Sequence, residues 1–316
     1  ASLLGLETGV SPAVADQLYR ETGGNPLALL ELPGLLSPDQ LAGTAPLDAP
    51  LPAGARVEHA FTRRADALPD DARRALLVAA ASMSEDVSPV VRALDRLGLA
   101  ASSLEPAEEA GLVAIVGERL EFHHPLVRSA VYQSAAPPER RRVHSALSDA
   151  HGDGDPALRA WHLAAAALGP DERVAAALHS VGTRARERNA LAESAVAFER
   201  AARLSPDAGT RVARFTEAAE AAWLVADAER AIGLIGAAQA ESPGPVERGR
   251  LLHLRGVIER RVGVHSAALE LLLEAEALLV DERPGDAANA LVEAVQVAFW
   301  AGDLGAALEL ARRLRE

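Results

Sequence analysis

The sequence contains neither cysteine nor lysine, so all 32 of its basic side chains are arginine. These two absences exclude a thiol nucleophile, a disulfide, a cysteine–zinc site, a Schiff-base lysine and the lysine of a phosphate loop. Aromatic residues make up only 3% of the sequence, which leaves few rings for stacking on nucleic-acid bases. No uncharged apolar run approaches about 18 residues, so no membrane-spanning helix is expected.

Acidic residues outnumber basic ones by 45 to 32, which gives a net charge of −13 at pH 7. A surface this negative repels phosphate backbones, so we expect no direct DNA contact from this segment. The sequence begins with Ala1, and its first ten residues lack the basic start of a signal peptide. We therefore expect a fragment of a cytoplasmic protein without membrane contact.

Composition and periodicity divide the sequence into three parts, and together they predict an all-α fold with one short β-hairpin. In residues 1–52, helical stretches flank Gly24-Asn25-Pro26, and the prolines from position 33 to position 52 predict a linker. Residues 53–136 are the second part. The third part, residues 137–316, is predicted to be helical throughout.

The second part has the order of elements found in a winged helix. Four helical stretches can be placed, at residues 55–68, 70–83, 89–97 and 104–110. The period then changes to that of a strand, and Gly117-Glu118 fits a two-residue turn between residues 112–116 and 119–122. This order predicts a winged-helix domain over residues 53–136.

The helix before the hairpin is the one that enters the major groove when such a module binds DNA. In this sequence that helix carries Glu105, Glu108 and Glu109 and no arginine. Three carboxylates would then face phosphates at close range. We therefore expect that this module does not bind DNA directly.

An internal repeat is the most informative pattern in the sequence. Small residues begin matching helices in steps of 37, 37 and 39 residues, at Ser194, Ala231, Ala268 and Ala307. Twelve residues before them stand mostly small residues, Gly182, Ala219, Gly256 and Val295. Sixteen residues before them stand large apolar residues, Leu178, Phe215, Leu252 and Leu291. This register predicts antiparallel helix pairs that cross closely at the small residues, in an α-solenoid of tetratricopeptide-like repeats.

Two segments are candidate binding sites, and each also has a purely structural interpretation. The turn Gly24-Asn25-Pro26 suits a helix start, with Asn25 as cap and Pro26 in the first position. The exposed N–H groups of a helix start also attract phosphate. The pair His123-His124 stands at the end of the second predicted strand, where adjacent histidines are usually structural.

The other histidines give no sign of a site. His144 and His151 are seven residues apart on one predicted helix, and we expect them on the surface. No third ligand stands at helical spacing from any histidine pair, and cysteine is absent. We assign no metal ligand and no catalytic residue.

Three stretches carry a resemblance to a known family: residues 21–29 (ETGGNPLAL), 122–132 (FHHPLVRSAVY) and 159–164 (RAWHLA). In these stretches the sequence resembles the middle segment of large LuxR-type transcriptional regulators that contain a signal-transduction ATPase of the STAND class. Such regulators consist of a nucleotide-binding domain, a winged helix, helical repeats and a C-terminal DNA-binding helix-turn-helix. The resemblance implies that residues 1–52 are the lid part of the nucleotide-binding domain and a linker.

The resemblance also implies a cofactor, ATP or ADP, and roles for the two candidate segments. Gly24-Asn25-Pro26 is similar to the family's glycine-x-proline element, whose proline packs near the adenine. His124 is similar to the winged-helix histidine that contacts the nucleotide phosphates in the resting state. The sequence contains no phosphate loop and no magnesium-binding strand, so we expect no ATP hydrolysis by this chain alone.

Two functions from different classes follow. The first is a regulatory and sensor segment that couples nucleotide state to an unknown inducer or partner bound on the repeats, with oligomerisation of the parent protein on activation. The second is a free-standing helical-repeat adaptor that binds a protein and no nucleotide. A GxxxxGK[ST] motif encoded upstream would favour the first and its absence the second. An enzyme is disfavoured because no catalytic group is assembled.

Overall fold

The computed structural model describes residues 10–22, 29, 32–45, 47, 64–152, 154–262 and 265–314. These residues are mostly helical, with one two-stranded antiparallel hairpin, which confirms the predicted all-α class. The backbone divides into two compact units, unit 1 (Ala1–Gly169) and unit 2 (Pro170–Glu316). Within the part of the chain that the structure describes, no helix is both long and apolar enough to cross a membrane.

Unit 1 begins with helix α1 (Pro12–Thr22), a 3₁₀ turn (Leu32–Leu35) and helix α2 (Pro38–Ala42). Helix α2 lies inside the segment for which the prolines predict a linker. Pro38 occupies the first helical position, where no N–H needs an intrahelical acceptor. Ser37 and Gln40 form a capping box with N–H···O distances of 3.2 and 3.0 Å. The predicted linker therefore contains one short helix, which begins after the cap residue Ser37.

The centre of unit 1 is a set of helices followed by the hairpin. Its elements are α3 (Asp70–Ala81), α4 (Val87–Arg96), a 3₁₀ turn (Ala101–Leu104), α5 (Glu105–Glu109), β1 (Val113–Val116) and β2 (Arg119–Phe122). Residues 75–81 of α3 are all buried, as expected of a helix that is apolar on every side. The strands pair from Val113↔Phe122 to Val116↔Arg119, and Gly117 in the turn has φ +65°. The later helices and the hairpin follow in the predicted order, whereas most of the helix predicted at residues 55–68 lies outside the described residues.

The carboxylates of α5 have different environments. Glu108 Oε1 accepts the N–H of Ile115 in β1 at 3.0 Å, so this side chain ties the helix to the hairpin. Glu105 and Glu109 are exposed. Only two of the three carboxylates therefore extend into solvent as the sequence predicts.

Three further helices complete unit 1, and each starts with proline in its first turn: α6 (Pro125–Ser134), α7 (Pro137–His151) and α8 (Pro156–Ala166). Val143 and Leu147 of α7 belong to the same apolar core as α3 and α4. Arg92 Nε of α4 donates to the carbonyl of Ala150 at 2.9 Å, which satisfies the C-terminal end of α7. These helices belong to unit 1, which ends at Gly169, and the start of the repeat array at residue 137 stays a prediction.

Unit 2 is a helical-repeat solenoid. Its helices are α9 (Glu172–Glu187), α10 (Leu191–Leu204), α11 (Ala208–Leu224), α12 (Ala228–Ala240), α13 (Pro245–Val262), α14 (His265–Leu279), α15 (Pro284–Trp300) and α16 (Leu304–Arg313). Aspartate side chains accept N–H groups at the starts of four of them, as Asp171, Asp207, Asp227 and Asp303.

Contacts between residues twelve positions apart confirm the predicted register. Ser194 Oγ donates to the carbonyl of Gly182 at 2.9 Å. A Cβ added to Gly256 would lie 2.7 Å from the Leu272 side chain and 3.3 Å from the carbonyl oxygen of Ala268. The two helices of each of these pairs therefore approach closely at the predicted small residues.

Candidate functional site

The structure describes only one of the two candidate segments. Gly24, Asn25 and Pro26 lie outside the described residues, so their expected place near an adenine stays a prediction. His124 lies within the described residues, between β2 and α6. The site is therefore built from His124 and from the elements that surround it.

His124 is the N-cap of α6. Its backbone is extended, and its Nδ1 accepts the N–H of Leu126 at 3.1 Å, while Pro125 takes the first helical position. Because Nδ1 is the acceptor, the proton of the neutral ring is on Nε2. The structural interpretation of His124 is thus correct for Nδ1, which caps α6.

The neighbouring histidine has a different position. The backbone N–H of His123 donates to the carbonyl of Leu112 at 3.1 Å and closes the hairpin, while its side chain is exposed. The two rings therefore stand in different surroundings, although they are adjacent in the sequence. His123 is a suitable control for experiments on His124.

The first turn of α6 packs against the N-terminal segment. Leu126, two residues after His124, is 2% exposed. It shares a core cluster with residues from both sides of the undescribed segment 23–28, namely Val10, Val14, Ala15, Leu18 and Leu32. The elements that flank the first candidate segment are therefore held against the helix that starts at the second.

A cavity of about 480 Å³ opens beside this packing. Its walls come from the end of α1, the end of α3, strand β2 and the start of α6. Its charged lining residues are Glu21, Glu85, Arg119, Glu121 and Arg128. Pro125, directly after His124, also lines it, so the cavity reaches the start of α6.

Arg128 is a residue of this cavity that sequence reasoning missed. Its Nε donates to the carbonyl of Ala80 at 3.0 Å and its Nη2 to the carbonyl of Ser82, at the C-terminal end of α3. Burial lowers the pKa of Arg128, while the nearby carboxylates Glu21 and Glu85 act in the opposite direction. The only signal in the sequence is its place one helical turn after His124.

No cluster of three or more histidine, aspartate or glutamate side chains is arranged to hold a metal ion in the residues that the structure describes. The charged groups of the cavity instead form hydrogen bonds and ion pairs with one another and with the backbone. Arg119, for example, pairs with both Glu85 and Glu121.

Comparison with solved structures gives two matching chains. No family model matches the chain, and no curated protein matches it. One of the matching chains is a signal transduction ATPase with numerous domains (STAND) protein with a tetratricopeptide repeat sensor from Pyrococcus horikoshii. This chain and that protein are 12% identical with a TM-score of 0.39, and the match covers 98% of this chain. The chain spans about half of that protein, 51% of its length.

Proposed function

We propose that the chain is the regulatory and sensor segment of an ATP-dependent, LuxR-type transcriptional regulator of the STAND class. The proposal rests on the stretch from Phe122 to Tyr132, the most specific part of the resemblance, and on the position of His124 within it. In this proposal ADP or ATP binds in the parent protein against the lid and the start of α6. The chain itself supplies no phosphate loop and does not hydrolyse ATP.

The observation that carries the proposal is the cap at the start of α6. The cap uses Nδ1 of His124, and this fixes the proton on Nε2. The Nε2–H group can donate a hydrogen bond to a phosphate oxygen. The positive N-terminal end of the α6 helix dipole also attracts phosphate. Arg128 holds α6 on α3 and so keeps the ring in place.

Regulation in this proposal is a change in the populations of a resting state and an open state of the parent protein. In the resting state the nucleotide holds the lid and the start of α6 together. An inducer or partner that binds the helical repeats of unit 2 favours the open state, which permits oligomerisation of the parent protein. Such a ligand acts only through its different affinity for the two states.

The experiment compares two substitutions of His124 in the full-length protein. His124→Asn keeps a cap acceptor but does not reach as far as Nε2, whereas His124→Ala removes both. A charge-assisted hydrogen bond to phosphate contributes about 1.5–3 kcal/mol, so both variants should weaken ADP binding about tenfold or more. Only His124→Ala should also lose about 1 kcal/mol of stability. Isothermal titration with ADP and urea unfolding measure the two effects.

His123→Asn is the matched control and should change neither quantity, because its ring is exposed beside the same strand end. Unchanged ADP affinity in His124→Asn, together with a loss of stability in His124→Ala, would reduce His124 to a helix cap. The nucleotide-sensing role would then be wrong.

An adaptor without nucleotide binding is the second candidate function. An apolar groove of about 400 Å³ between α15 and α16 favours it, with Phe299, Trp300 and Leu308 exposed along its edge. The DNA sequence upstream of the coding segment distinguishes the two candidates, because only the regulator needs a GxxxxGK[ST] motif there.

A further inference from the structure

Four ring side chains form a buried chain across α6, α7 and α8. Tyr132 Oη lies 2.8 Å from Nε2 of His144, and Nδ1 of His144 lies 2.9 Å from Nδ1 of His162. The ring of His151 stacks on that of His162, with centroids 5.3 Å apart and planes 17° apart. We call the three histidines, His144, His151 and His162, the imidazole cluster.

The burial and the hydrogen bonding of the imidazole cluster favour neutral rings. His144 is 3% exposed, His151 8% and His162 0%. One proton lies between the two Nδ1 atoms, so one ring donates and the other accepts. If both rings were protonated, two N–H groups would face each other at this distance and the hydrogen bond would be lost. Nε2 of His151 and Nε2 of His162 have no hydrogen-bond partner among the residues that the structure describes.

The charged groups around the cluster do not compensate for burial. Burial is the main cause that lowers the pKa of His144 to about 4 and that of His162 to about 3, and it also lowers the pKa of His151. Arg140 acts on His144, Arg128 on His162 and Arg92 on His151 in the same direction. Asp155 and Asp86 oppose this shift only at His151.

Helix α8 depends on this cluster more than its neighbours do. Its buried side chains are Ala160, His162 and Ala164. In the described part of unit 1, α7 contributes Val143 and Leu147 to the apolar core, whereas α8 contributes no residue to it. The ring of His162 is therefore the main buried side chain that fastens α8 to α7.

We propose that the imidazole cluster makes the docking of α8 on α7 depend on proton concentration. The helix docks when the three rings are neutral and detaches when they take up protons. A histidine released to solvent titrates near pH 6.5, well above its range in the cluster. Proton uptake therefore accompanies release, and release becomes easier as the pH falls below about 6.5.

The test is hydrogen–deuterium exchange of the whole chain at pH 7.5, 6.5 and 5.0, with exchange rates corrected for their intrinsic pH dependence. Each proton taken up raises the opening constant about tenfold per pH unit. A released ring is already half protonated at pH 6.5, so the opening constant of α8 should rise at least about fifteenfold from pH 6.5 to pH 5.0. Peptides from α3, in the centre of the apolar core, should have a smaller opening constant than those of α8 at each pH.

Two variants attribute the effect to the cluster. His162→Leu fills the site without a titratable group and should lower the steepness of the pH dependence of α8 opening. His151→Phe keeps the stacked ring on His162 and should lower the steepness of the pH dependence. His123→Leu, an exposed control, should behave as the wild-type chain does.

Three results would overturn the proposal. The first is an opening constant for α8 that is the same at pH 7.5 and pH 5.0. The second is one common opening constant for α3 and α8 at every pH, because the cluster would then affect only global stability. The third is wild-type pH dependence in both His162→Leu and His151→Phe.

Discussion

The two units handle their buried polar side chains in opposite ways. In unit 1 the most buried titratable groups are the neutral rings of His144 and His162. In unit 2, Glu199 is 1% exposed and forms ion pairs with Arg203 at 2.9 Å and with Arg230 at 2.8 Å. Unit 1 thus keeps its buried groups uncharged, whereas unit 2 buries charge in pairs.

The difference indicates which change should destabilise each unit. A neutral buried ring needs only a hydrogen-bond partner, but it resists any proton that would charge it. A buried ion pair tolerates moderate acid, but it leaves an uncompensated charge when one partner is removed. Unit 1 should therefore be sensitive to acid, and unit 2 to single substitutions that remove a carboxylate.

The largest effect is expected from Glu199→Ala in unit 2. The substitution leaves the guanidinium of Arg230, which is 14% exposed, without its carboxylate. Removing one partner of a buried pair costs about 3–5 kcal/mol, and we expect the lower end because Arg203 is half-exposed. Urea unfolding measures the loss.

Glu193→Ala is the control for this prediction, because its pair with Arg188 is exposed on both sides. Such pairs contribute at most about 1 kcal/mol. Equal losses in Glu199→Ala and Glu193→Ala would contradict the idea that unit 2 depends on buried charge.

The second effect is a difference in acid sensitivity between the units. The folded-state pKa of His144 is lowered to about 4, so its contribution to stability is complete above about pH 6.5 and decreases as the pH falls toward 4. From pH 6.5 to pH 5.0 the loss is about 1.6 kcal/mol for each such ring, because an exposed ring is already half protonated at pH 6.5. Unit 1 should therefore lose stability within this range.

Unit 2 should lose less in this range, because burial lowers the pKa of His253 there but Glu293 and Asp286 oppose the shift. A hydrogen bond from Arg214 lowers the pKa of Glu172. The contribution of this hydrogen bond to the stability of unit 2 is therefore present above the ordinary carboxyl pKa of about 4.3 and is lost below it. The variant Trp161→Phe keeps Trp223 and Trp300 and reports on unit 2, while Trp223→Phe/Trp300→Phe reports on unit 1. Equal shifts of the two fluorescence transitions between pH 6.5 and pH 5.0 would contradict this difference.

The repeats were predictable from the sequence because a close helix crossing restricts the residue type at one position. Only small side chains fit there, and they recur at the same step along the chain. The hydrogen bond from Ser194 to Gly182 shows that the register is correct at the level of single residues. The hairpin was predictable for a similar reason, since its alternation and its Gly117 turn are local signals.

The imidazole cluster could not be predicted in the same way. The prediction that His144 and His151 lie on the surface is wrong, because both are buried against His162, a residue of another helix. Contacts between helices depend on tertiary packing, which one sequence does not reveal. The role of Arg128 escaped prediction for the same reason, since its acceptors are 48 and 46 residues away.

The smallest effect concerns the crossing of α9 and α10, where Gly182 faces Phe198. The Phe198 ring is fully buried, with the His179 ring at 5.1 Å on one side and the Arg186 guanidinium at 5.2 Å from its centroid. A Cβ at position 182 would lie 2.6 Å from an atom of this ring. The ring has little room to withdraw, so the two helices must move apart.

We therefore expect Gly182→Ala to destabilise unit 2 by about 1–2 kcal/mol, within the usual range for overpacking and below the loss for Glu199→Ala. Gly236→Ala is the matched control, because a Cβ there meets no atom within 4 Å in the middle of α12. Alanine favours the helix over glycine, so Gly236→Ala should stabilise the protein by about 0.5–1 kcal/mol. Thermal and urea unfolding measure both changes. If Gly182→Ala were also stabilising, helix propensity would outweigh the contact with Phe198, and glycine would not be needed at this crossing.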